Sequence, residues 1–232
     1  DRILRTIQPR VADETGVVHH PWTDRYRVAL IYPNTYHQGM SNLGFLSVYQ
    51  LLNGRNDCLC ERFFLPDPHD AQEHQKTGFP LVSYESQTPL ADFDLIALSI
   101  SFENDYLHLP LIFELGRVPF YSVDRTTEHP LVLFGGVCAF LNPEPLADIV
   151  DIVAVGEAEP ILPGLFDTLQ SGMSHDKLWE SLAALPGIYL PHYEQPHLPR
   201  RQFLADLDLS ASCSFIQTEA TEFGDMALAE VS

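Results

Sequence analysis

Residues 27–52 read RVALIYPNTYHQGMSNLGFLSVYQLL, and this stretch sets the fold. Val28, Ala29, Leu30, Ile31 and Tyr32 form an uninterrupted apolar run. Such a run suits a strand covered on both faces, as in a parallel sheet. Pro33 and Asn34 stop it. Ser41 or Asn42 can cap the helix that follows, because a side-chain oxygen there accepts a free first-turn amide. The loop between, Asn34–Met40, gathers Asn, Thr, Tyr, His, Gln and Gly. It is the first place to look for a small-molecule site.

The rest of the chain repeats the alternation. Gly54 ends the first helix, and Asp57–Phe64 forms a second strand. A polar, proline-punctuated insertion at 65–90 holds a short helix at Ala71–Lys76 and a short strand at Leu81–Tyr84. Asp94–Ser101 is a third buried strand, broken by Phe102, Glu103 and Asn104. Asp105–Gly116 shows helical spacing, with Leu107, Leu111 and Leu115 on one stripe and Pro110 to be tolerated or to kink it. Pro119–Ser122 is a candidate extra strand. Pro130–Phe134 and Ile149–Val155 are the fourth and fifth main strands, with a turn or short helix at Asn142–Ala147. Pro160 suits the first turn of the next helix, where its missing amide costs little. A last helix starts at Ser174. From Ile188 the prolines thicken, with extended pieces at Gln202–Leu207 and Ser212–Thr218, and this reads as an appendage outside the main sheet.

Strands alternating with helices predict an α/β, doubly wound, mainly parallel five-stranded sheet with an extended C-terminal linker. The expected organisation is a lead-in at 1–24, with a short helix near its start, a Rossmann-type domain at 25–190 and a linker at 191–232.

The bulk numbers bound the function. The chain has 232 residues, 45% of them hydrophobic, enough for a sizeable core. Its formal charge is -19, with 13 basic against 32 acidic residues, so a phosphate backbone is repelled and nucleic-acid binding is not expected. No apolar stretch is long enough to span a bilayer. The opening DRILRTIQPRVADETG lacks a signal-peptide apolar region, so the expected location is cytoplasmic. Cys58, Cys60, Cys138 and Cys213 include no CxxC pair and read as buried reduced thiols. His19 and His20 are adjacent and read as solvated.

In doubly wound folds, ligands bind beyond the carboxyl ends of the strands, where strand order reverses. Four strand ends here are small or polar: Asn34–Ser41, Ser101–Asn104, Gly135–Gly136 and Gly156–Glu159. Glycine lets a ligand approach the backbone, and helix amino ends offer amides to anions. Each feature alone has a plainer reading. Gly135–Gly136 can be a tight turn, and Ser99 and Ser101 can satisfy local backbone. His37 has no second ligand-type residue at metal spacing, so no metal site is expected. Glu157 and Glu159 suit the first turn of a helix. Their coincidence at one edge gives the candidate cofactor site: Asn34, Tyr36, His37, Gly39, Ser41, Asn42, Ser99, Ser101, Gly135, Gly136, Gly156 and Glu157. No GxSxG, P-loop, HExxH or GxGxxG is present, and no complete set of catalytic residues is visible.

Four ordered segments add a family. PNTYHQGMSNLGF, ERFFLPD, FDLIALSISFENDY and FGGVCAFLNPEPLADIVDIVAVGEAE together resemble the amino-terminal, cobalamin-binding-like domain of a radical SAM family, over about residues 25–190. The resemblance implies a flavodoxin-like sheet of order 2-1-3-4-5. It implies a cobalamin cofactor whose nucleotide tail slots beside the opening strand, near Ser99, Ser101, Gly135 and Gly136. It also implies a following radical SAM core domain as partner, which would carry S-adenosylmethionine and a [4Fe–4S] cluster. TEATEFGDMALAEVS resembles the linker into that core. The cobalamin motif DxHxxG would put Asp at 35 and Gly at 40, where this chain has Thr35 and Met40. Cobalamin would therefore be bound without a protein histidine. The implied reaction of the whole protein is methyl transfer or another radical reaction. Two alternatives stand beside it: a domain that keeps the fold without the cofactor and positions substrate or partner, and a flavin or nucleotide binder.

Overall fold

The apolar run at the start of the chain's first βα unit is an interior strand, second from one edge, of a six-stranded sheet. The computed structural model describes residues 2–195, 198–205, 215–221, 223, 224, 226 and 228. Among these the elements are α1 (Arg2–Ala12), β1 (Tyr26–Tyr32), α2 (Tyr36–Met40), α3 (Leu43–Asn53), β2 (Cys58–Phe64), α4 (Pro68–Thr77), β3 (Leu95–Ser99), α5 (Leu109–Gly116), β4 (Leu131–Gly135), α6 (Val137–Leu141), β5 (Ile152–Ala154), α7 (Ala158–Leu169), α8 (His175–Ala183) and β6 (Ile188–Tyr189). The strand order is β2-β1-β3-β4-β5-β6. The first five strands run parallel, and β6 pairs antiparallel with β5.

Side chains alternate between two cores, as the period of two along a strand demands. Val28, Leu30 and Tyr32 of β1 join Cys58, Cys60, Leu95 and Leu133 under α3 and α7. Ala29 and Ile31 join Ile96, Leu98, Val132 and Phe134 under α5. Helices therefore cover both faces, which is the doubly wound arrangement. Asn42 caps α3 by accepting from the Phe45 amide at 2.9 Å. Cys58, Cys60 and Cys138 are free and buried. Burial pushes the Cys58 thiol up to about 12. Cys213 lies outside the described residues.

Several expectations change. Ile188–Tyr189 is not an appendage: it pairs with Val153 and Ala154 as β6. The stretch at Leu81–Tyr84 makes only a bridge, Val82 to Pro89. Residues 119–122 are a turn running into a 3-10 helix at Ser122–Asp124. The helix expected at 105–116 splits into a 3-10 turn, Glu103–His108, and α5, so that Pro110 falls in the first turn of α5 where no amide is needed. Leu107 consequently leaves the apolar stripe and is 81% exposed. His20 Nε2 lies 3.0 Å from the Asn53 carbonyl.

The polar opening segment packs into the fold. Ile3 and Ile7, four apart on α1, are buried in the first core. Beyond α1, Glu14 reaches Arg62 of β2, whose NH1 and NH2 donate to Glu14 Oε1 and Oε2 at 2.9 and 2.6 Å. Arg62 Nε donates to Glu85 Oε1 at 2.6 Å, and its backbone amide donates to Glu85 Oε2 at 2.8 Å. All three side chains are at most 1% exposed. A lone buried charge is untenable, so this triad fixes the lead-in and the insertion to the same strand. The tail closes on the same place: Thr15 and Gln217 exchange backbone hydrogen bonds at 3.0 Å, and Ile216 and Thr218 are buried.

Candidate functional site

In this strand order the direction of the sheet reverses between β1 and β3, and the crevice beyond their carboxyl ends is the expected ligand position. Three hydrogen bonds bridge it. Asn34 Nδ2 donates to Asp105 Oδ1 at 2.7 Å, and Asn42 Nδ2 donates to Ser101 Oγ at 3.1 Å. His108 Nδ1 lies 2.7 Å from the Pro33 carbonyl. A carbonyl only accepts, so Nδ1 carries the proton. Asn34 and Pro33 follow β1; Ser101, Asp105 and His108 follow β3. The tyrosine hydroxyl at the end of β1 joins them: burial pushes Tyr32 upward while hydrogen bonds with Ser101 and Asn42 pull it back.

Asp105 is the charged group of this cluster. Its side chain is 4% exposed, and Oδ2 has no hydrogen-bond partner among the described residues. Burial drives its carboxyl above the usual carboxylate range, opposed by the Asn34 hydrogen bond and by His108 at 3.9 Å. Next to it, burial also raises the Tyr106 hydroxyl and the Cys138 thiol, which share a hydrogen bond. Asp105 and His108 were not among the sequence candidates. Their signal was available: an acid and a histidine three apart, directly after a buried strand.

The glycine ends serve the chain itself. Gly136 has φ +94°, and a Cβ there would stand 2.6 Å from the Ile100 carbonyl oxygen. The close approach is real backbone pairing, because Ile100 N donates to Gly135 O at 3.0 Å and Cys138 N donates to Ile100 O at 3.2 Å. Gly156 has φ +138°, and its Cβ would stand 2.3 Å from the Gln202 oxygen. Gln202 N donates to Val155 O, and Glu157 N donates to Gln202 O, each at 3.0 Å. The Glu157 carboxylate accepts from the Leu204 amide. The β5 end is therefore filled by residues 202–204.

The structure brings Asn34, Asn42 and Ser101 together, with Ser99, Gly135 and Gly136 on the two adjoining strands. It separates the others. Tyr36 is buried on the side of the lead-in, donating to Glu14 Oε1 at 2.6 Å and stacking on Tyr84. Gly39 lies against the Phe64 ring, so its small size serves packing. Ser41 Oγ donates to the His37 carbonyl at 2.7 Å, and the His37 side chain is exposed. Gly156 and Glu157 belong to the tail contact.

Outside the bridged crevice the carboxyl edge carries exposed apolar side chains among polar ones such as Glu103, Asn104 and Asn142. Phe102 and Leu107 are exposed on the segment that follows β3, and Val137 and Leu141 on α6, which follows β4. Phe203 is exposed on the tail, where the Arg201 guanidinium lies 3.6 Å from the Phe140 ring centroid and 4.6 Å from that of Phe203. Exposed apolar clusters of this kind mark interaction surfaces. Among the described residues no group of three His, Cys, Asp or Glu is placed to hold a metal ion, and no helix is long and apolar enough to cross a membrane.

Residues 44–191 match the family described as radical SAM proteins, N-terminal. No curated protein matches the chain. Among solved structures, the cobalamin-dependent S-adenosylmethionine radical enzyme OxsB with aqua-cobalamin bound is similar at 14% identity and a TM-score of 0.45, over 71% of this chain and 20% of that one. The same enzyme with aqua-cobalamin and S-adenosylmethionine bound gives 15% identity and the same TM-score and coverage. The radical S-adenosylmethionine methyltransferase TsrM from Kitasatospora setae, with tryptophan substrate and a SAM analog bound, is similar at 17% identity and a TM-score of 0.43, over 70% of this chain and 28% of that one. The chain thus spans less than a third of the length of each of these enzymes.

Proposed function

The chain belongs to the family of radical SAM protein N-terminal domains, and on that premise we propose that it is a platform for a radical SAM core domain rather than a holder of an inserted cofactor. The apolar rim at the carboxyl edge is the working face, against which the core or its substrate packs. S-adenosylmethionine and the [4Fe–4S] cluster belong to that core. The reaction of the whole protein is methyl transfer or another radical reaction, and its compartment is the cytoplasm. One observation carries this reading: the β1/β3 crevice is bridged by Asn34–Asp105 and Asn42–Ser101. Two of the four residues named for a corrinoid's nucleotide tail, Ser101 and Gly136, are already engaged within the chain. Ser101 is engaged by Asn42, and the Gly136 cradle holds the Ile100 backbone.

A second reading keeps the cofactor outside the crevice. Exposed Phe102, Val137 and Leu141 offer a face for a flat macrocycle. Cobalamin bound there would supply a carrier for a methyl group or a radical, and no protein histidine would ligate it. Gel filtration after incubation with hydroxocobalamin separates the two. The platform reading predicts no corrinoid spectrum with the protein; the second predicts retained corrinoid that Phe102→Asp abolishes.

A further inference from the structure

At the opposite edge of the sheet, beyond the amino ends of the strands, lies a groove of about 1520 Å³. It runs past Arg27 of β1, Asp94 before β3, Leu131 of β4 and Asp151 before β5, and reaches α8. Three inter-strand spacings make it about 14 Å long, the span of roughly four extended residues. Its volume exceeds the usual small-ligand pocket of about 300–1,000 Å³. Nothing in the platform reading uses it.

The walls are aromatic and the rim is acidic. Trp22, Phe93, Trp179 and Tyr193 line it. Its two arginines are neutralised in place: Arg27 pairs with Asp94, and Arg125 with Asp151 at 2.9 Å. That leaves Asp92, Glu128 and Asp176 on the rim, none of them in a salt bridge with lysine or arginine among the described residues. Arg27 lies 5.6 Å from the Trp22 ring centroid, so that ring already receives a guanidinium on one side. The Arg125 side chain, 4% exposed, is spent on the chain itself: NH1 donates to the Pro119 and Phe120 carbonyls and NH2 to the Ile149 carbonyl and Asp151.

We propose that this groove binds an extended, basic peptide segment of a partner protein. Lysine or arginine side chains meet the Asp92, Glu128 and Asp176 rim and the aromatic faces, and apolar side chains between them fill the floor. The length and the net negative lining select an extended basic peptide over a compact ligand.

Trp22 and Trp179 are the chain's two tryptophans, and both line the groove, so tryptophan emission excited selectively over the tyrosines reports on it. The test titrates the 232-residue chain with an acetylated, amidated pentapeptide alternating lysine and leucine, against a counterpart alternating glutamate and leucine. The expected result is a saturable change with the lysine peptide and binding at least tenfold weaker for the glutamate peptide. The variant Asp92→Lys/Glu128→Lys/Asp176→Lys, checked for unchanged circular dichroism, should lose at least tenfold in affinity. If that variant does not fold, the parent chain still decides, since its affinity must rise as salt is lowered. The absence of a saturable change, equal binding of the two peptides, undiminished binding by the variant, or an affinity indifferent to salt would each overturn the proposal.

Discussion

Asn34 donates its side-chain amide to Asp105 Oδ1 at 2.7 Å, joining the ends of β1 and β3 at the point where strand order reverses. The two residues are 71 apart in sequence. With Asn42–Ser101 beside it, this bond gives the crevice to the protein's own side chains. Whatever acts at the carboxyl edge acts on top of it.

Asn34→Leu removes the hydrogen-bond donor to the buried Asp105 carboxylate, whose side chain is 4% exposed. Losing a hydrogen bond to a buried charged group costs about 1–3 kcal/mol. A urea titration should show the midpoint falling with unchanged slope. An unaltered midpoint would mean that the bridge contributes nothing.

Asp105 also predicts a pH dependence. Burial raises its carboxyl above the ordinary value in the folded state. The folded protein then binds this proton more tightly than the unfolded chain, so stability falls as pH rises from the unfolded-state pKa of about 3.9 upward through the raised folded value. Asp105→Asn should therefore gain stability over the parent above that raised folded value, and the gain should fade as pH falls through it and past the unfolded-state value of about 3.9, where both states of the parent become protonated. Denaturation across a pH series checks this. A gain that persists undiminished in acid would refute the linkage.

Arg62→Met would strand Glu14 and Glu85 in the core without their cation. Removing one partner of a buried ion network costs about 3–5 kcal/mol. The variant should unfold at a much lower denaturant concentration, with α1 losing amide-exchange protection first. A loss under 1 kcal/mol would show that water reaches the triad, in line with the low worth of exposed pairs.

Gly156→Ala tests the tail contact. Its φ of +138° disfavours any side chain, and the added Cβ would meet the Gln202 backbone. Residues 202–204 must move away, so amide exchange should accelerate at Gln202 and Leu204 while β1 and β3 keep their protection. Uniform acceleration across the sheet would contradict a local contact.

The sheet was legible because its strands are local and dense: Val28–Tyr32 and Asp94–Ser101 are apolar runs that only a doubly covered strand explains. The order 2-1-3-4-5 came through family resemblance, since a strand's pattern does not name its neighbours. β6 was missed because two residues, Ile188–Tyr189, carry no alternation. The lead-in was underrated because its anchor, Glu14 on Arg62, spans 48 residues, and no local pattern encodes such a pair. Gly136 and Gly156 did mark positions of close approach, but what approaches is Ile100 and Gln202 of the same chain. Sequence shows that a glycine is needed and not what stands against it.

The most direct measurement is the retention of hydroxocobalamin by the purified chain, read from the visible spectrum after gel filtration. With the β1/β3 crevice bridged by Asn34–Asp105 and Asn42–Ser101, the protein should elute free of corrinoid at high micromolar concentration. Stoichiometric corrinoid eluting with the protein would contradict the platform account.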